Sequence, residues 1–316
     1  FCGNFKVFVV MRYFHPFASD VIKEVQKFDP NQVILLPLYP QFSSATSDSS
    51  LNDFLERFPN PEKKIPVKIV CCYPSEPDFI KAHSLLIKQT IVKFGLNPFG
   101  IRQRDTSRAP LCGEPHPVCL GNKQGKFYEK DLTNFRLLFS AHGLPQKLIN
   151  AGDPYVFQIE ETAKKIIKNL SEIFILAQEE IDFRVCYQSK VGPLKWTSPS
   201  LEQEIRRVAL DKKIPVILPI SFVSDHSETL VELDIDYKDL AQNLGIKNYL
   251  RVPALNLDGH FVKTLSQICK AVNFSDESSI FSGQKPQRIC PKNFKLCPNS
   301  NPSDCEAAQK INHCLA

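Results

Sequence analysis

Apolar residues along this chain gather into short continuous runs, separated by longer segments in which they recur every three or four positions. Runs at 5–11 (FKVFVVM), 32–39 (QVILLPLY), 67–73 (VKIVCCY), 135–141 (FRLLFSA), 183–189 (FRVCYQS), 215–222 (PVILPISF) and a short one at 248–253 (NYLRVP) predict strands. Helical spacing occupies 18–28, 47–58, 77–94, 154–170, 199–210, 226–243 and 259–272. A strand that is apolar at every position is buried on both faces, so this alternation predicts parallel sheets covered by helices on both sides. Two such sheets are the natural partition, at 1–95 and 135–275, with an irregular insertion at 96–134 and a Cys-rich tail at 276–316.

In open α/β sheets ligands bind beyond the carboxyl ends of the strands. Those ends carry chemistry here: Arg12, Tyr13 and His15 after the first run, PQFSSATSDSS after the second, His142 after 135–141, Lys190 and Trp196 after 183–189, and VSDHSET after 215–222. The 96–134 segment is polar and rich in Gly and Pro. Its Cys112, His116 and Cys119 are read as incidental to a loop in preference to a metal site.

The segment Ser221–Tyr237, SFVSDHSETLVELDIDY, raises a sharper question. On a helix with a step of about 100° per residue, Asp225, Glu228, Glu232 and Asp236 share one stripe, and Leu230, Leu233, Tyr237 and Leu240 share the packing face. Four carboxylates in a row ordinarily mark a solvated face. This stripe, however, starts at a strand end, where a cleft is expected, and His142 is placed to face it across that cleft. A near-neutral base opposite a row of acids suits proton removal and the handling of a divalent ion such as Fe²⁺ or Zn²⁺. With no HExxH or other compact triad, transit of the ion is favoured over permanent chelation. Glu228 and Glu232 repel when both are ionised, which predicts a raised pKa for one of them.

Composition narrows the class without deciding it. At 316 residues and 43% hydrophobic content the chain can build real cores, and a net charge of +5 with no Lys/Arg block speaks against a nucleic-acid reader. Nothing approaches the apolar length of a membrane span. Eleven cysteines are an odd number, and Cys2, Cys71, Cys72, Cys186 and Cys269 lie in or beside apolar periodic segments, so a disulfide scaffold is not expected. Cys290, Cys297, Cys305 and Cys314 stand apart in the tail. The chain opens on FCGNFKV without an initiator Met or a charged leader, and its start is read as missing.

Together MRYFHPF, LLPLYPQFSSATSDSSLNDF, LFSAHGLPQKLINAGDPY, QSKVGPLKW and SFVSDHSETLVELDIDY resemble, in consecutive order over about 5–95 and 134–272, the ferrochelatases, which insert ferrous iron into a porphyrin to make haem. The resemblance implies two Rossmann-like lobes with the porphyrin in the cleft between them, and a bacterial-type chain lacking the elements that precede Phe5. It implies that His142 abstracts pyrrole protons or holds the incoming metal. Asp225, His226, Glu228 and Glu232 match an acidic track on the opposite wall, for metal delivery or proton exit. Arg12 and Tyr13 match a pair at the inner end of the pocket, Trp196 and Phe222 match residues touching the macrocycle, and Ser189 and Lys190 lie near the same site. The metal-handling set is His142, Glu228 and Glu232.

Some ferrochelatases also carry a [2Fe–2S] cluster on four cysteines. Cys290 and Cys297 reproduce the C-x6-C of the tail and Cys71 or Cys72 the upstream ligand, with Cys72 taken here. Asn299 occupies the usual third tail position, leaving Cys305 or Cys314 as its substitute, with Cys305 taken here. The family further implies a porphyrin and ferrous iron as partners, peripheral membrane association, a homodimer, and a place in the bacterial cytoplasm or on the matrix side of the mitochondrial inner membrane. Two alternatives stay open at this point: a truncated, non-catalytic porphyrin- or haem-binding protein, and a cobalt or nickel chelatase for another tetrapyrrole.

Overall fold

A computed structural model of the chain describes residues 4–58, 65–95, 129–275 and 280–299. Strands β1 (Val33–Leu35), β2 (Val67–Cys72) and β7 (Ile280–Ser282) form one sheet in that order; β3 (Phe135–His142), β4 (Phe183–Gln188), β5 (Ile214–Pro219) and β6 (Leu250–Arg251) form a second, ordered β4-β3-β5-β6. Every pairing is parallel. The connecting helices are α1 (Ala18–Phe28), α2 (Ser49–Arg57), α3 (Pro77–Gly95), α4 (Gln146–Asn150), α5 (Tyr155–Phe174), α6 (Leu201–Leu210), α7 (Ser227–Leu230), α8 (Tyr237–Asn243) and α9 (Gly259–Asn273). The α/β architecture with parallel sheets flanked by helices is the one the apolar pattern predicts.

The second sheet shows why its runs lack polar alternation. β3 is buried from Phe135 to Ala141. Leu137 and Phe139 face the core shared with α3, α5 and α9, while Leu138 faces Leu201, Ile205 and Val208 of α6. Each such side chain contributes roughly 1.5–3 kcal/mol by leaving water. Only His142, at the carboxyl end, emerges from the sheet.

Buried polar contacts join the first sheet to α5. The Asp153 carboxylate, fully buried, accepts from Ser43 Oγ, Ser44 N and Ser44 Oγ on one oxygen and from Tyr155 N on the other. Gln158 Oε1 accepts the Phe42 N–H at 2.8 Å, and Gln41 Nε2 donates to Thr162 Oγ1. Buried Lys68 donates to the Val272 carbonyl at 2.9 Å, satisfying an orphan acceptor at the carboxyl end of α9.

Several expectations are corrected. Residues 5–11 form no strand among the described residues. Their backbone finds no sheet edge, and Val7 is 89% exposed, with Phe8 leaning on Phe28 of α1. The helix expected at 47–58 begins with a π-type turn at Ser44–Asp48. The helix expected at 226–243 is three pieces, α7, a π-type turn at Glu232–Asp236 and α8. The segment expected as a tail supplies β7, which pairs with β2. Cys305, Cys314, Cys112, His116 and Cys119 lie outside the described residues.

Candidate functional site

His142 stands at the end of β3, and its neighbours fix it from behind. Its backbone N–H donates to Ser221 Oγ at 3.1 Å, and its carbonyl accepts from Tyr155 OH at 3.1 Å. Gly143 follows because the chain passes too close for a side chain: a Cβ there would meet the Gln188 carbonyl oxygen at 2.9 Å and the Trp196 ring at 3.4 Å. The imidazole is left free to point outward, where Nδ1 meets Glu228 Oε2 at 2.8 Å. Both side chains are 37% exposed. The cleft expected between the histidine and the acids is therefore absent at this pair: they are in direct contact.

The acids divide by role. Glu228 and Glu232 converge on Ser189, whose Oγ donates to Glu232 at 2.8 Å and reaches Glu228 Oε2 at 3.3 Å. Fully buried Gln188 supports them, its Nε2 donating to the Glu228 carbonyl and to Glu232 Oε2 while its Oε1 accepts from Ser140. The π-type turn, closed by Asp236 N–H on the Val231 carbonyl, widens the helix at this point. It breaks the four-acid stripe: Asp236 is exposed, and Leu230, expected to pack, is 46% exposed.

Asp225 is turned to other work. Its Oδ1 pairs with Arg251 at 2.8 Å and its Oδ2 accepts from Asn256 at 3.0 Å, while Arg251 also grips Asp234. Burial pushes the Asp225 carboxyl up, but the Asn256 hydrogen bond and the Arg251 charge outweigh it and hold it down. His226 caps α7, with Nδ1 accepting the Glu228 N–H at 3.1 Å, so it orients Glu228 through the backbone. The Phe222 ring lies edge-on between the two imidazoles, 6.2 Å from His142 and 4.9 Å from His226.

Glu228 itself is held below the ordinary carboxyl range. The hydrogen bond to His142 outweighs burial, with the His142 and His226 charges and the Ser189 hydroxyl in support. The repulsion-driven rise expected for one member of the Glu228–Glu232 pair is not found at Glu228, whose carboxylate is hydrogen-bonded directly to the imidazole.

The remaining residues are brought to the rim. Trp196 is held over Gly143, its neighbours stitched to the β3 exit by Gln146 N–H on the Lys195 carbonyl and Leu144 N–H on Thr197 Oγ1; its own Nε1 is buried without a partner among the described residues. Lys190 is exposed. Arg12 is pinned to α2 by Ser49 Oγ at 3.1 Å and by Asp53, with its guanidinium 5.1 Å from the exposed Tyr13 ring. Tyr39, which sequence reasoning passed over, links the two sides. Its hydroxyl is pushed up by burial and by the proximity of Tyr13 and Glu228. Gln188, Ser221, Tyr155 and Arg251 were missed as well. Gln188, Ser221 and Tyr155 lie within the motifs quoted above and Arg251 within the run at 248–253, but nothing in those patterns singles them out.

Elsewhere, Cys72 and Cys290 flank the Gln158 amide, at 3.5 and 3.2 Å, and Cys297 hydrogen-bonds Cys290. No three or more His, Cys, Asp or Glu side chains among the described residues converge tightly enough to cage one ion. No helix among those residues is long and apolar enough to cross a membrane.

Comparison with known proteins identifies the family. The ferrochelatase family model matches residues 2–107 and 119–272, so only 108–118 of the expected insertion falls outside it. The chain is 42% identical over 295 residues to the ferrochelatase of Rickettsia typhi (strain ATCC VR-144 / Wilmington), covering 93% of this chain and 72% of the relative. It is 41% identical over 295 residues to that of Rickettsia bellii (strain OSU 85-389), covering 93% and 70%, and 41% identical over 300 residues to that of Pelagibacter ubique (strain HTCC1062), covering 95% and 74%. The chain belongs to the ferrochelatase family and is an enzyme of haem synthesis that inserts ferrous iron into a porphyrin.

Proposed function

We propose that insertion takes place at the His142–Glu228 pair, and the observation that carries this is their 2.8 Å contact at the mouth of the second sheet. A free-base porphyrin must give up two N–H protons as the ion enters. His142 accepts a pyrrole proton, and Glu228, already ionised and hydrogen-bonded to the imidazole, stabilises the imidazolium that results. Glu232, joined to Glu228 through Ser189, takes the charge or proton onward. His142, Glu228 and Glu232 also offer borderline and hard donors to the arriving Fe²⁺. Their loose grouping suits an ion that must leave for the ring. Phe222, Trp196 and Tyr13 supply aromatic surface for the macrocycle, Ser189 and Lys190 flank it, and Arg12 offers a cation to a propionate. Holding the ring puckered against these faces directs binding energy toward the transition state.

In this reading Asp225 and His226 are positioning residues, and the lobes are 1–95 and 135–275 with the segment after 275 closing the first sheet. The exposed apolar strip of Val7, Val9, Tyr13 and Phe14 is the surface for peripheral contact with a membrane that holds the poorly soluble porphyrin. Bacterial relatives favour the bacterial cytoplasm over the mitochondrion, and a homodimer is carried over from the family. A [2Fe–2S] cluster belongs to the same reading. Cys72, Cys290 and Cys297 supply thiols in one buried region, and such a cluster would tie β2 to the segment after β7.

The test is anaerobic metal insertion by the full chain, with Fe²⁺ and then Zn²⁺, followed by the change in porphyrin absorbance, with His142→Ala in parallel. The expected result is turnover in the parent, and in the variant a loss of about a hundredfold or more with porphyrin binding retained. Undiminished turnover in His142→Ala would remove His142 from the chemistry.

A further inference from the structure

A fourth thiol, Cys71, stands with the three expected ligands that lie among the described residues, Cys72, Cys290 and Cys297. Successive residues of a strand point to opposite faces, so Cys71 and Cys72 should face apart. They do not. The ladder between β2 and β7 slips at this point: Val70 pairs with Phe281 and Cys72 with Ser282, leaving Cys71 as the extra residue of a β-bulge. The bulge turns both side chains into one buried cluster and brings their sulfurs to 3.5 Å. Opposite them, Cys290 and Cys297 form a second hydrogen-bonded pair. Gln158 bridges the pairs, its Nε2 lying 3.5 Å from Cys72 Sγ and 3.2 Å from Cys290 Sγ.

Two thiolates at ~2.3 Å from one tetrahedral ion stand about 3.8 Å apart, close to the spacing within the Cys71–Cys72 pair. No three of the sulfurs gather tightly enough to cage a single ion. Two close pairs set side by side, without convergence on one point, suit two bridged irons, each taking one pair, and not a mononuclear site.

Hydrogen-bond donors and one cation stand beside the sulfurs, although the neighbouring thiols and burial push the Cys72 and Cys297 thiols up. The Gln158 amide and the Asn299 N–H are hydrogen-bond donors at the sulfurs. Arg288, anchored on the carbonyls of Cys290, Pro291 and Phe294, brings a positive charge near both Cys290 and Cys297. The Asn299 side chain is engaged elsewhere, its amide donating to Ser282 Oγ and to the Gln287 carbonyl. Cys71 Sγ lies 3.6 Å from that same Ser282 Oγ, so it borders the place where a thiol at position 299 would sit.

Resting on the reading that this chain carries a cluster, we infer that Cys71, Cys72, Cys290 and Cys297 ligate a [2Fe–2S] unit two and two, with Cys71 replacing the thiol that Asn299 lacks and Cys305 taking no part. The cluster enters preassembled and already oxidised. Each protein thiol loses its proton as its sulfur bonds iron, and each departing external thiolate takes up a proton, so no oxidant or reductant is consumed.

The full chain, purified anaerobically and then mixed with a preassembled glutathione-ligated [2Fe–2S] complex, is assayed for iron, acid-labile sulfide, visible absorption and the electron paramagnetic resonance signal after reduction. Cys71→Ser and Cys305→Ser are compared with the parent. The expected result is equal iron and sulfide in the parent and in Cys305→Ser, with loss of at least four-fifths of both in Cys71→Ser. If Cys305→Ser empties the site and Cys71→Ser leaves it full, the cluster reading stands and the assignment to Cys71 is overturned. If the parent holds neither iron nor sulfide, the cluster reading itself falls, and zinc without sulfide has the same meaning. Should Cys71→Ser fail to fold, alkylation mapping of the loaded parent decides: Cys71 protected and Cys305 labelled supports the assignment, and the reverse refutes it.

Discussion

His142 Nδ1 and Glu228 Oε2 share one hydrogen bond of 2.8 Å, which joins the segments leaving the carboxyl ends of two neighbouring parallel strands, β3 and β5. Replacing the carboxylate by an amide keeps the volume and a polar contact but removes the charge that stabilises an imidazolium. Glu228→Gln is expected to lower kcat by about 10²–10⁴-fold while the porphyrin KM moves little. Steady-state insertion assays with the porphyrin varied at saturating Fe²⁺ make the split visible. A rise in KM at unchanged kcat would turn Glu228 into a binding residue and dismiss the pair.

Gln188 is fully buried and all of its amide is engaged, toward Ser140 on one side and toward Glu232 and the Glu228 carbonyl on the other. Gln188→Leu leaves the Ser140 hydroxyl without this acceptor and Glu232 without a donor. The expected cost is about 1–3 kcal/mol in urea unfolding, with kcat reduced by roughly tenfold because Glu232 loses its fixed orientation. A variant as stable and as active as the parent contradicts the positioning role.

The sequence pattern reports which side chains are apolar, and it located β2 to β5 and the helices that cover them because those segments bury themselves locally. It says nothing of what covers a run. FKVFVVM at 5–11 has the composition of a buried strand, yet a strand also needs an edge to pair with, and the short β1 pairs with β2 and not with this segment. Likewise, equal spacing placed Asp225 and Glu228 on one stripe and could not foresee that Arg251, on β6, would claim Asp225 together with Asp234. The π-type turn at Glu232–Asp236 adds a residue to the helical period, which no fixed 100° step anticipates. β7 escaped notice because three residues carry no period.

The Arg251 fork separates structure from chemistry at Asp225. Its guanidinium meets Asp225 and both oxygens of Asp234, and at 15% side-chain exposure it is shielded while Asp234 is 35% exposed. Arg251→Met should cost about 1–3 kcal/mol after discounting for that exposure, and Arg251→Lys should recover only part, because an ammonium cannot engage both carboxylates with a planar fork. Asp225→Asn should likewise lower Tm while kcat stays within about threefold of the parent. If instead Asp225→Asn loses as much kcat as Glu228→Gln with Tm unchanged, Asp225 is a catalytic group.

His83 supplies an acid sensitivity that is independent of the site. It lies buried on α3 against Phe79, ring centroids 4.7 Å apart, and neither ring nitrogen has a partner among the described residues. Burial holds its pKa down to about 3, against 6.5 for the free side chain. Between those values the unfolded chain binds a proton that the folded chain refuses. Stability therefore rises with pH across this window and is lost as pH falls from 6.5 toward 3. At ~1.4 kcal/mol per pH unit, the loss from this one group by pH 5 is about 2 kcal/mol. His83→Leu removes the titrating group and two unsatisfied nitrogens. Its urea midpoints at pH 7.5 should match or exceed the parent's, and its decline between pH 6.5 and 5 should be smaller by about that amount. Parallel curves for parent and variant over this range would show that His83 either stays neutral when unfolded or is hydrated when folded, and the acid sensitivity would then have to be sought among the paired carboxylates.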